Sequence, residues 1–187
     1  MAIYDNTTPG NIIGRPPATN TVGTVPSTLT GTSVQEYGAG AVRQTVFTFT
    51  NQRFTLADLG TTGAGGTKIM DLPEGNILFL GGVLRATIVD AEGTTGNITL
   101  AVGTVTAAAD ATLTSTEANI VPVTSATAEG AVASAVNTAV AFADGTTTPV
   151  DIFLNALSSG DPTAVATANG FTITGTLTVT WLNLGDR

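Results

Sequence analysis

The sequence predicts an all-β protein: an antiparallel β-sandwich, jelly-roll-like, with one short helix and an extended N-terminal arm. Three observations carry this. In Phe171 to Leu182, FTITGTLTVTWL, the residues Phe171, Ile173, Gly175, Leu177, Val179 and Trp181 alternate with threonine at every even position from Thr172 to Thr180. Period-two alternation sorts one apolar and one hydroxylic face on a strand, whereas a helix would smear both around its cylinder. Shorter stretches repeat the alternation between glycine, proline and asparagine breaks, as strands and turns do. Finally, Thr114 to Ile120 is the one convincing helix start, with Thr114 to cap and Glu117 to reach back, and Pro122 stops it within one or two turns.

Residues 1–45 read as the arm and 46–187 as the sandwich domain. Prolines at 9, 16, 17 and 26 and scattered glycines leave no sustained apolar period in the arm. Single apolar residues at intervals suit a segment lying in a groove, where a plain linker would need none. The candidate contacts to a partner or neighbouring subunit are Ile12, Ile13, Arg15, Val22, Val25, Leu29, Tyr37 and Arg43. Removing residues 1–40 is expected to weaken such contacts and leave the body folded.

A first strand follows at about 42–50, with Phe47 and Phe49 on one side and Val46, Thr48 and Thr50 on the other; Phe54 and Leu56 continue beyond Asn51-Gln52. Leu59 to Lys68, LGTTGAGGTK, reads as a flexible glycine-rich turn. It lacks the Gly-Lys-Ser/Thr order of a phosphate-binding loop, and Asp71-Leu72-Pro73 breaks any helix that would have to follow. Pro73-Glu74-Gly75-Asn76 is a turn. Ile77 to Leu80 is continuously apolar, Gly81-Gly82 punctuates, and Leu84, Ala86 and Ile88 alternate with Arg85 and Thr87. A loop from Asp90 to Asn97 leads to a strand carrying Ile98, Leu100 and Val102. The alanine-rich 126–143 stretch reads as loop, then a strand near Thr138 to Phe142. Val150, Ile152, Leu154 and Ala156 alternate in the next strand, 158–169 is loop, and the Phe171 strand closes the fold. That strand would span roughly 35 Å at about 3.3 Å per residue, suiting the centre of a sheet. Gly175, the gap in its apolar face, implies a bulge or a close backbone approach.

Composition narrows the function. Lys and Arg total 6 against 14 Asp and Glu, for a formal charge of −8. That is the wrong sign for displacing counterions from phosphates, so no nucleic-acid partner is expected. Charged residues make up only 11% of the chain, so the polar surface must come from threonine, serine, asparagine and backbone. There is no cysteine and no histidine, hence no thiolate, no usual general base and no common metal ligand. No stretch is apolar for long enough to span a membrane as a helix, and the N-terminus lacks a signal-peptide pattern. No membrane partner, cofactor or metal is expected. Carboxylate chemistry could draw on Asp90, Glu92, Asp144, Asp151 and Asp161, but charges in or near loops are ordinarily solvated surface, and the expectation is a protein that is not an enzyme.

KIMDLPEGNILFLGG, LTSTEANIVP and the ending DIFLNA…ITGTLTVTWLNLGD, together with the N-terminal arm, resemble the head decoration, or cement, proteins of tailed bacteriophages. The resemblance covers roughly residues 45–187 in the style and order of segments. It implies a jelly-roll body, often trimeric on the capsid, whose arm clasps the shell. The partners would then be the major capsid protein and the chain itself as a homotrimer, on the virion surface. The alternatives are a jelly-roll major coat protein, a tail or fibre component binding a host receptor, and a carboxylate glycosidase domain.

Overall fold

The structure, a computed structural model, describes residues 23–38, 42–60, 62–90, 97–107, 112–126, 130–159 and 170–185. Among them the strands are β1 (Thr32–Tyr37), β2 (Val42–Thr55), β3 (Ala57–Asp58), β4 (Gly63–Asp71), β5 (Ile77–Asp90), β6 (Ile98–Gly103), β7 (Val121–Ala126), β8 (Val132–Asn137), β9 (Ala141–Ala143), β10 (Asp151–Ser158) and β11 (Gly170–Asn183). One sheet runs β1-β2-β11-β5-β8, with β9 also pairing β5; the other runs β3-β4-β10-β6-β7. All pairings between strands are antiparallel. Setting aside the additions β1, β3 and β9, two four-stranded sheets remain, β2-β11-β5-β8 and β4-β10-β6-β7. The chain passes back and forth between them in the order of a jelly roll.

The inner faces meet in a single apolar core. β11 contributes Phe171, Ile173, Leu177, Val179 and Trp181, all buried, while its even-numbered threonines face outward. Rings from three stretches of β2 and β11 join end to end: Phe47 stacks on Phe49, Phe49 meets Phe54 edge-on at 6.0 Å, and Phe54 stacks on Phe171 at 5.5 Å. That chain needs a phase change, because Phe47 and Phe49 are odd positions and Phe54 is even. A bulge supplies it. Asn51 adopts φ 49° and slips the β2–β11 register, and the Thr174 hydroxyl holds it, accepting from the Asn51 N–H at 3.0 Å and donating to its Oδ1 at 3.1 Å. Without the extra residue Phe54 and Leu56 would point into solvent. A second slip in β5, at Gly81 with φ 132°, does the same for Ile77 and Phe79 before it and Leu84, Ala86 and Ile88 after it. The two expected segments, 77–80 and 84–88, are therefore one strand of 14 residues.

Several expectations are corrected. The short helix is a three-residue 3-10 turn, Ser115–Glu117, followed directly by β7. Its capping box forms, with the buried Glu117 carboxylate accepting from both the Thr114 N–H and the Thr114 hydroxyl. The glycine-rich stretch expected to be a flexible turn is largely strand β4. Its glycines serve close packing: a Cβ on Gly66 would lie 2.3 Å from the Asn155 Oδ1. Asn155, fully buried, binds the neighbouring loop through its side chain, donating to the carbonyls of Val105 and Glu117 and accepting from the Ala107 N–H, each at 2.8 Å. The alanine-rich region yields β8 at 132–137 and only a short β9 where a strand near 138–142 was expected.

Within the span read as an arm, residues 23–38 lie on the body. Thr24 pairs with Asp71, the Gly31 carbonyl accepts from Thr50 N–H, and β1 pairs along β2 from Thr32 to Tyr37. Leu29 is 5% exposed and belongs to the core, with Val25 packed beside it. These two residues, expected to anchor a partner, are occupied by the chain's own body.

Candidate interaction face

The outer face of the β1-β2-β11-β5-β8 sheet is a broad surface poor in charge. Strand register lays it out in rows. Gln35, Val46, Thr178, Val83 and Val136 are successive cross-strand partners over five strands. Ser33, Thr48, Thr176, Arg85 and Ser134 form the next row. At the end of the sheet Val42, Leu182, Leu78 and Phe142 make an apolar row, with Leu80 beside it. Val136 is 61% and Phe142 59% exposed, while Val46, Leu78, Thr178 and Leu182 are half-buried.

The composition of this face follows from the alternation. In β11 every outward position from Thr172 to Thr180 is threonine, so the middle of the face is hydroxylic and β-branched rather than charged. No described outward side chain in these rows is acidic, and Arg85 carries the one charge, in a chain of net charge −8. The one acid of β1, Glu36, turns inward and is 3% exposed. Five strands about 4.8 Å apart and eight residues at about 3.3 Å each give a face of on the order of 600 Å² in flat projection, and its accessible area is larger. A stable protein–protein interface takes roughly 800 Å² from each partner.

Of the expected contact residues, Tyr37 lies on this face, partnered with Gln44 and donating its hydroxyl to Gln35 Oε1. Arg43 is half-buried opposite Trp181. Val25 and Leu29 lie away from the face, in and against the core, and Ile12, Ile13, Arg15 and Val22 fall outside the described residues. Sequence reasoning missed Val83, Val136, Leu78 and Phe142 as surface. The odd phase of Val83 and Arg85 against Leu84 and Ala86 was the available signal.

Carboxylates were the other candidates. Asp144 is exposed and accepts from the Thr146 N–H at 3.0 Å and its hydroxyl at 2.7 Å, which holds its carboxyl below the usual range. It stabilises a turn. Asp151 is the cross-strand partner of Asp71, with Lys68 Nζ 2.7 Å from Asp71 and 3.7 Å from Asp151. The two carboxyl groups act on one another in opposite senses: Asp71 is held below the usual range, and Asp151 is pushed up to about 6, chiefly by burial. A glycosidase pair needs the sugar between its carboxyl groups, whereas here Lys68 is ion-paired to both. Glu92, Asp161 and the Asp90 side chain lie outside the described residues. Among the described residues no cluster of three or more metal-ligating side chains occurs, and no helix is long and apolar enough to cross a membrane.

Comparison with protein-family models, with curated proteins and with solved structures finds no match to this chain.

Proposed function

We propose that the chain is a structural virion protein that binds the outside of a bacteriophage head and stabilises it, docking by the outer face of the β1-β2-β11-β5-β8 sheet. The observation that carries this reading is the threonine- and valine-rich rows of this face, in which no described outward side chain is acidic, on an otherwise acidic jelly roll. A face of this kind suits broad, permanent contact: its described outward side chains bring no carboxylate to desolvate or to repel a partner's, and its hydroxyls can hydrogen-bond across the interface. Salt would screen it little, since few charges are involved. The partners in this reading are the major capsid protein and further copies of the chain as a homotrimer, with the residues before Gly23 adding reach. The protein has no catalytic role in it.

Co-sedimentation with emptied phage heads tests the reading. The wild-type chain pellets with the heads, and the pair Val83→Glu, Val136→Glu stays in the supernatant with its circular dichroism unchanged. Wild-type protein left in the supernatant, or the variant pelleting equally well, removes the reading. The jelly-roll topology itself favours a second one, a coat protein, since shells are built from this fold. Sedimentation of the purified chain separates the two: a discrete species near three times 18.7 kDa fits decoration, and large closed particles fit a coat.

A further inference from the structure

We propose that Asp71, Asp151 and Lys68 form a proton-operated latch that clamps the incoming chain at Gly23–Thr24 onto the end of β4. The latch is independent of any shell contact.

Three chain segments meet there. Thr24 and Asp71 exchange both backbone hydrogen bonds, each 2.8 Å, as an isolated bridge. Gly23 lies so flush that a Cβ would stand 2.1 Å from the Met70 Cε and 2.6 Å from the Asp71 carbonyl oxygen. On its other side Asp71 faces Asp151, and the Leu72 N–H donates to the Val150 carbonyl at 2.9 Å, tying the two strands together at this level. The residue whose backbone holds Thr24 is therefore also the residue whose carboxyl group meets Asp151.

Two carboxyl groups that are cross-strand partners, with a single ammonium 2.7 Å from one and 3.7 Å from the other, favour keeping one proton between them. Asp151 is the one that keeps it. Burial, then the hydrogen bond to Asp71, pushes its carboxyl up to about 6, against the opposing pull of Lys68. Asp71 is held below the usual range, first by the hydrogen bond from Asp151 and then by the one from Lys68. The other groups around the cleft are Glu74 after β4, the neutral Thr24 and Thr148, and Asp144 on the adjoining cleft. Lys68 is the only cation lining either cleft among the described residues. When the shared proton leaves, two carboxylates face each other with one ammonium between them, and Glu74 adds to the negative field. The strain falls on Asp71, and its backbone bridge to Thr24 gives way first, because a two-bond bridge is weaker than the paired strands on either side. The clamp is tight in mild acid and looser at neutral pH.

Amide hydrogen exchange, followed by NMR and corrected for intrinsic rates, reads the latch directly. Protection at the Thr24 and Asp71 amides is expected to fall roughly fivefold or more between about pH 5 and about pH 7.5, while Val179 in the sheet centre stays constant. In Asp151→Asn, whose amide mimics the neutral carboxyl and can still donate to Asp71, protection should hold at its acid-side level throughout. Wild-type protection that does not change with pH, or the same fall in Asp151→Asn, overturns the proposal. A carbon-13 titration of the wild-type side-chain carboxyls needs no variant: Asp151 titrating near 6 supports the latch, and Asp151 titrating in the ordinary aspartate range overturns it.

Discussion

The indole N–H of Trp181 donates to the hydroxyl of Thr45 at 3.0 Å, with both residues wholly buried. The Thr45 hydroxyl donates in turn to the Glu36 carboxylate at 3.3 Å. A polar thread thus runs from β11 through β2 to the edge strand β1, inside an otherwise apolar layer. It fixes the ring of the chain's single tryptophan and points the only acid of β1 away from the outer face.

Trp181→Phe should therefore cost more than its lost volume. It leaves the Thr45 hydroxyl without its donor and opens space beside it, for a combined loss of about 2 to 4 kcal/mol. Urea unfolding followed by circular dichroism measures this. A loss under about 0.5 kcal/mol would mean the thread contributes nothing.

Gly175→Ala tests the close approach in the middle of the sheet. A Cβ there would sit 2.2 Å from the Arg85 carbonyl oxygen and 2.6 Å from the Ala86 Cα, both backbone atoms that cannot swing aside. The β11–β5 pairing must part locally, at about 2 kcal/mol or more. Thermal unfolding of the variant should show a lowered midpoint with the same β-type spectrum at low temperature.

Truncation should separate two lengths of N-terminal segment. A chain starting at Gly23 keeps Leu29 and all of β1, and its unfolding midpoint should match the full chain. A chain starting at Ala41 loses the buried Leu29, the β1–β2 pairing and the Glu36 end of the polar thread. It should lose about 3 kcal/mol or more, since deleting a buried leucine side chain alone costs about 2 to 5 kcal/mol. Equal midpoints for both would return residues 23–38 to the arm.

Stability should also depend on pH in two opposite senses. Asp151 is raised to about 6 from an ordinary 3.8, so the folded chain holds a proton that the unfolded chain has lost between those values. Stability falls as pH rises through that window. Asp71 and Asp144 are lowered, so their contributions are present above the ordinary value and fade as pH drops below it. The urea midpoint at fixed ionic strength should therefore be higher near pH 4.5 than near pH 7, and Asp151→Asn should remove that difference. A wild-type midpoint that rises over the same interval contradicts the assignment.

How much of this was legible follows from the range of the interactions involved. β11 could be read from its own residues, because its strict alternation is local, and Trp181 fell in the buried phase. Ile152, Leu154 and Ala156 of β10 were readable for the same reason. β4 was not. Its glycines look like flexibility in the sequence, and only the approach of Asn155, 89 residues beyond Gly66, shows that they are there for clearance. β1 was obscured by the prolines and glycines around it, although Val34 and Glu36 face inward at period two. The candidate face was half legible. The threonine row stood in plain view, but its neighbours Val83 and Val136 join it only through pairing across strands. The Asp71–Asp151 contact joins residues 80 apart and left no mark in either segment.

The adjacency of β2 and β11 has a consequence for how the protein is made. The first long strand finds its central partner only in the last one, at separations such as Val42 to Leu182. β5 depends on the same late strand for its longest pairing. Until residues 170–183 have emerged from the ribosome, the middle of this sheet is vacant, and Phe47, Phe49 and Leu84 lack the strand that pairs between theirs. Productive folding must wait for residues 170–183 to clear the exit tunnel, and a chain released early would carry two unpaired strand edges into the crowded cell.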